Sequence, residues 1–150
     1  MPRLSDPSRA QQILNYSFED LELLKEALQA PGAGEPIRGR IIPDGNKRLS
    51  LVGLSVINFT VTLESYQGGS SKGDISANVQ ARVSQSTLAD LTRQSTLDMC
   101  IATNPSQGDN DVAPVLRADT IKAVLAAVWI DCRGAVGIWS PIAASLGIVV

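Results

Sequence analysis

Apolar residues recur along this chain at the three- and four-residue spacing of a helix, and the gaps between the runs carry helix start and stop signals. Asp6-Pro7 opens a first helix, with Asp6 as cap and Pro7 in the first turn, running to about Asn15. Leu21, Leu24 and Leu28 place a second over Phe18 to Ala30, stopped by Pro31-Gly32. Gly32 to Gly45 is rich in glycine and proline and reads as a loop. A third helix, capped by Asp44 or Asn46, runs from Lys47 to about Tyr66. Gly68-Gly69-Ser70-Ser71 breaks it. A fourth is predicted from Asp74 to Arg82, and Ser84 or Ser86 caps a fifth through Gln94. Leu97 to Ala102 makes a short helical piece, and Asn104 to Asp111 is a polar loop. Pro114 suits the first turn of a helix over Val115 to Asp131, ended by Gly134. A last helix spans about Ala135 to Leu146 and stops at Gly147. No segment alternates with a period of two between hairpin turns, so the expectation is an all-α fold.

The third helix is apolar on two sides. Leu49, Val52, Val56, Phe59 and Leu63 form one stripe; Leu51, Leu54, Ile57 and Val61 form another. A helix of that kind belongs in a core or at an interface. The helix before Gly134 combines Ile121, Val124, Leu125 and Val128 with Ala123, Ala126 and Ala127, which permit close approach of a neighbour.

Composition narrows the picture. The 150 residues, 44% apolar and 19% charged, suit one globular domain that can bury a core without a staple. No run of eighteen or more apolar residues is seen, so no membrane association is expected. The start lacks the apolar segment of a secretory signal, and Arg3 and Arg9 are too sparse for an organellar one. Cys100 and Cys132 have no ligand spacing and read as buried free thiols of an intracellular protein. The absence of histidine excludes Ser-His-Asp and Cys-His catalysis and every His-ligated metal site. A net charge of -2 lacks the basic footprint of a strong nucleic-acid binder.

Four segments carry a resemblance. Asn46-Lys47-Arg48-Leu49-Ser50-Leu51-Val52-Gly53-Leu54-Ser55-Val56 is similar to the ribonuclease III signature N-E-R-L-E-F-L-G-D-S-V, matching at Asn46, Arg48, Leu49, Gly53, Ser55 and Val56. Leu23 to Ala33 resembles the first conserved helix of that family and its turn. Val83 to Ala89 resembles its middle segment. Asp119 to Asp131 resembles its second motif, D-x-x-E-A-x-x-G-A-x-Y-L-D. The four stand in family order and cover roughly Leu21 to Gly147, so a single domain with a core from about residue 18 to 147 is expected, without a double-stranded-RNA-binding domain. The resemblance implies a helical bundle that dimerises through the signature helix, with Leu51, Leu54, Ser55, Asn58 and Phe59 as candidate interface residues.

It also implies a chemistry that this sequence does not support. Two-metal hydrolysis of a phosphodiester needs converging carboxylates, because Mg²⁺ takes hard oxygen ligands. The family supplies one pair at i and i+4 of the signature helix and another at i and i+3 of the later helix. Carried over, they fall on Ser50 and Leu54, then on Asp119 and Lys122; only Asp119 is acidic. Lys47 replaces a further family glutamate. No catalytic residue and no resident metal are expected, and Mg²⁺ only if the chain were active after all. Lys122 is expected to pair with Asp119. Glu64, Asp74 and Asp111 are the carboxylates that could stand in. Arg38, Arg40, Lys47 and Arg48 read as a solvated loop and helix start, and Trp129 and Trp139 as core or interface anchors.

The resulting expectation is a catalytically degenerate ribonuclease III-like protein, of fungal type, serving as a homodimeric scaffold, with weak or no double-stranded RNA binding. The alternatives are a structural subunit of a mitochondrial large ribosomal subunit, an inactive partner of an active ribonuclease III, or a divergent metal-dependent endonuclease. The compartment, whether cytoplasmic, nuclear or mitochondrial, is left open.

Overall fold

The computed structural model describes residues 3–104 and 112–148. Helices α1 (Pro7–Leu14), α2 (Leu21–Ala27), α3 (Lys47–Gln67), α4 (Lys72–Val83), α5 (Gln85–Ser95), α6 (Pro114–Asp131) and α7 (Val136–Ser145) follow in order, with a 3₁₀ turn at Leu97–Cys100. Among the described residues there is no strand. Two isolated bridges, Gln29 with Ala102 and Ile37 with Arg40, are the only extended pairings there. The polar loop expected up to Asp111 lies, beyond Asn104, outside the described residues.

Side chains cap α1, α4 and α5, whereas Asn46, expected as a cap of α3, stands at that position without a capping hydrogen bond. Asp6 accepts from the Arg9 amide at 3.1 Å and Pro7 fills the first turn. Ser71 caps α4 through the Asp74 amide, which starts that helix two residues before the expected Asp74. Ser84, not Ser86, caps α5 through the Thr87 amide. The second helix is shorter than the expected Phe18 to Ala30. At its start, the amides of Phe18, Glu19 and Asp20 donate to Gln11 and Asp131 side chains instead of joining a helix. At its end, the Leu28 carbonyl and the Ala30 amide bond to the backbone of Ala102 at 2.8 and 2.9 Å. A long-range bridge thus satisfies groups that a further helical turn would have used.

The centre of the molecule is α6, with α3, α5, α2 and α7 packed around it. Ten of its residues are buried, from Leu116 to Val128. Trp139 of α7 is fully buried, donates its indole N–H to the Leu125 carbonyl at 3.0 Å, and meets Trp129 edge-to-face at 5.7 Å. Both tryptophans therefore act as core anchors, the buried ring keeping its polar atom satisfied. Ala10 and Leu14 extend the core beyond the expected residue 18.

Only one side of α3 is buried, and it is not either expected stripe. Leu49, Ser50, Gly53, Ile57, Thr60 and Val61 face inward. Leu51, Val52, Phe59, Leu63 and Tyr66 are exposed. At its tightest point the buried face needs a glycine, because the backbone of α6 comes too close for any side chain. A Cβ built on Gly53 would stand 1.8 Å from the Lys122 carbonyl oxygen. By length and a mean hydropathy of 1.3, α3 could cross a membrane. Its inner face is instead locked onto α6.

Candidate functional site

The Gly53 crossing brings the first turns of α3 against the middle of α6, and a buried asparagine fixes the register. Asn46 is fully buried just before α3. Its amide nitrogen donates to the Ala27 carbonyl at 2.9 Å and to the Thr120 hydroxyl oxygen at 3.0 Å. Thr120 in turn donates to the Leu116 carbonyl at 2.7 Å. One side chain thereby ties α2, α3 and α6 together one residue from Asp119. Asn46 Oδ1 is left without a hydrogen-bond partner in its buried position, a local cost accepted in return for that tie.

Asp119 points into the angle between the two helices and is held from both sides. Lys122 Nζ lies 3.2 Å from Oδ1, and Lys47 Nζ lies 3.2 Å from Oδ2. The side chains of Asp119 and Lys122 are 13% and 18% exposed, while that of Lys47 is 51% exposed. The Lys47 pair is therefore the more screened of the two and contributes less. The Ser50 hydroxyl donates to the Lys47 carbonyl at 2.6 Å, turned back into its own helix. Leu54 follows Gly53 on α3, half-buried. Together Asp44, Lys47, Arg48, Ser50, Leu51, Asp119 and Lys122 line an open hollow of about 320 Å³.

These residues do not fit a divalent metal. A hard cation needs several oxygen ligands, near-octahedral for Mg²⁺. Here two carboxylates border the hollow, Asp44 and Asp119; both Asp119 oxygens face ammonium groups, and the serine hydroxyl is engaged elsewhere. Among the described residues no three His, Cys, Asp or Glu side chains converge on a point where a metal could sit.

The structure brings Ser50, Asp119 and Lys122 to one hollow, whereas Leu54, the fourth position expected there, is not among its lining residues; Lys47 adds a second clamp on Asp119 that spacing alone did not reveal. Glu64 does not join them, being fourteen residues beyond Ser50 on α3, about 21 Å at the rise of an α-helix. Asp74 lies in the first turn of α4, and Asp111 is outside the described residues. Leu51, Leu54, Ser55, Asn58 and Phe59 lie on one outward strip of α3, with Leu51 and Phe59 67% and 61% exposed. Arg38 pairs with Asp20. With Arg40, Arg48, Glu26 and Asp44 it borders a second hollow of about 240 Å³, where burial pushes the Glu26 carboxyl above its ordinary value.

An all-helical domain in which a half-exposed long helix crosses a buried one at a glycine is a defined class, and known proteins identify it. The model of the Ribonuclease III domain matches residues 47–133, so the chain belongs to that family. It is 34% identical over 127 residues to Ribonuclease 3 of Rhodopirellula baltica, covering 82% of this chain and 46% of that protein. It is 29% identical over 129 residues to Ribonuclease 3 of Photorhabdus laumondii, covering 83% of this chain and 53% of that one. The chain therefore spans about half the length of these relatives. Two structures of the ribonuclease III nuclease domain from Campylobacter jejuni share the fold. One, described for structural flexibility in a region involved in dimer formation, has a TM-score of 0.79 at 22% identity over 94% of this chain and 95% of that one. The other has 0.76 at 22% identity, over 93% and 91%.

Proposed function

We propose that this chain is a ribonuclease III-type module that works by dimerising and has lost the family's metal-dependent cleavage of RNA. The carrying observation is the clamp of Lys47 and Lys122 on Asp119. Of the positions that correspond to family metal ligands, Ser50 and Leu54 offer no charge, Lys122 offers the wrong one, and Asp119 is neutralised. With two cations supplied by the protein itself, entry of two more of higher charge is strongly opposed.

The dimer part rests on α3. Its outer strip joins apolar Leu51, Leu54 and Phe59 to polar Ser55 and Asn58, with Leu51, Ser55 and Phe59 exposed and Leu54 and Asn58 half-buried, which suits an isologous two-fold contact with a second copy. The Campylobacter nuclease domain has a region involved in dimer formation, and the exposed strip supports the same behaviour here. With a net charge of -2, binding of double-stranded RNA is weak. The two free thiols suit a reducing, intracellular setting.

Two measurements test this. Duplex RNA incubated with the pure protein and Mg²⁺ or Mn²⁺ should stay intact; specific cutting that Asp119→Ala abolishes would overturn the loss of activity. Sedimentation at micromolar concentration should give a dimer. A stable monomer would remove the dimerising role, and purification only with an active family member would replace the homodimer by a mixed one.

A further inference from the structure

We propose that the hollow around Lys47, Asp119 and Lys122 binds a phosphate group directly on its lysines, without any metal. This rests on the reading above that the site has lost its cations, and it names the ligand class that the exchange favours.

The charges decide it. Lys47, Arg48 and Lys122 bring three cations to the hollow, and Asp44 and Asp119 bring two carboxylates. The surplus is positive in a protein whose net charge is negative. Asp119 spends one oxygen on each lysine, so a single carboxylate holds two ammonium groups side by side. Each ammonium carries three N–H donors. Asp119 is the one carboxylate within ion-pair distance of either lysine among the described residues, which leaves donors unused on both. Lys122 is 18% exposed, so water satisfies it poorly. Arg48, which borders both this hollow and the one holding Glu26, has no carboxylate within ion-pair distance among the described residues, and its guanidinium offers a planar fork suited to phosphate oxygens.

The same features turn away the other ligand classes. A metal meets two like charges. An apolar molecule finds Leu51 and the alkyl stems of the lysines, but it would cover the ammonium groups without pairing them. A phosphate finds unused donors already positioned by a carboxylate, so little ordering is required when it binds. Its source is either free phosphate or the backbone of a nucleic acid, since both present the same oxygens.

The test uses the full chain with ¹³C-labelled lysine side chains, observed by NMR while inorganic phosphate is added against sodium chloride of equal ionic strength. The expected result is a saturable shift of the Lys47 and Lys122 signals, in the millimolar range. Lys122→Gln should weaken binding about tenfold, Lys122→Arg should largely retain it, and Lys72→Gln, on the first turn of α4, should leave it unchanged. No saturable shift, or equal loss with Lys72→Gln, would overturn the proposal. A short RNA duplex then separates the sources. Competition with phosphate, with a salt slope that Lys122→Gln reduces by about one, assigns the site to a nucleic-acid backbone. Saturable phosphate binding without competition assigns it to free phosphate. Mn²⁺ alone forms a third arm. Broadening of the Lys47 and Lys122 signals at micromolar Mn²⁺ would sink the metal-free reading itself, whereas silence towards both Mn²⁺ and phosphate would sink the oxyanion site only.

Discussion

Asp131, the last residue of α6, holds the segment between α1 and α2. Its carboxylate accepts from the Tyr16 hydroxyl at 2.6 Å and from the Glu19 and Asp20 amides at 3.0 and 2.9 Å. Burial pushes this carboxyl upward, but the three donors outweigh it and hold it below the ordinary aspartate range. A depressed native value means that the unfolded chain takes up the proton first as pH falls. The contribution of Asp131 is then fully present above about pH 4 and is lost as the pH drops through that value toward the lower native one. Asp131→Ala should cost about 1–2 kcal/mol at neutral pH in urea unfolding, and the gap to the parent should narrow as the pH falls through the lowered native value. A gap that persists unchanged at low pH would show that the carboxylate charge is not what matters. Cysteine chemistry divides in the same residue-by-residue way. Burial pushes the fully buried Cys100 thiol up to about 11, whereas Cys132 is partly open. Iodoacetamide at pH 8, read by peptide mass spectrometry, should label Cys132 well before Cys100; the reverse order would mean that Cys100 becomes accessible by local opening.

For the elements, the α3–α6 crossing is the most constrained feature. Alanine is favoured over glycine inside a helix by about 1 kcal/mol, yet Gly53→Ala sets its Cβ against the Lys122 carbonyl at 1.8 Å. Backbone can step aside only by parting the two helices, so the clash wins, and the expected loss is about 1–3 kcal/mol in thermal unfolding. The variant should also move Lys47 away from Asp119, weakening phosphate binding at the hollow. Stability equal to the parent would mean that the helices slide past one another freely. This crossing also explains what could be read from the sequence. Helix starts at Pro7 and Pro114, and a serine cap on α5, were legible because caps act within four residues, whereas the Ser71 cap of α4 reads in sequence as part of a glycine-serine break. The end of α2 was not, because Leu28 and Ala30 answer to Ala102, far along the chain. Nor was the inner face of α3, where close backbone approach requires Gly53. The Asp119–Lys122 pair was legible as an i, i+3 contact on one helix; the Lys47 pair joins residues 72 apart and needed the fold.

At the scale of the whole molecule, two exposed apolar areas compete as the surface through which copies would meet. One is the outer strip of α3 with Leu51 and Phe59; the other surrounds Val136 and Ile138 on α7, 52% and 47% exposed. In a two-fold contact each residue counts twice. If burial of Phe59 is worth about 2 kcal/mol per copy, Phe59→Glu removes about 4 kcal/mol, close to a thousandfold in the dimer dissociation constant. Within one protomer the same ring is 61% exposed and touches little of the core, so the substitution should shift protomer stability by no more than about 0.5 kcal/mol. Sedimentation of Phe59→Glu should therefore show a monomer whose circular dichroism matches the parent, while Ile138→Glu should remain dimeric. A monomeric Ile138→Glu beside a dimeric Phe59→Glu would move the contact to α7. It would also leave the exposed Leu51 and Phe59 of α3 without the partner that their exposure calls for.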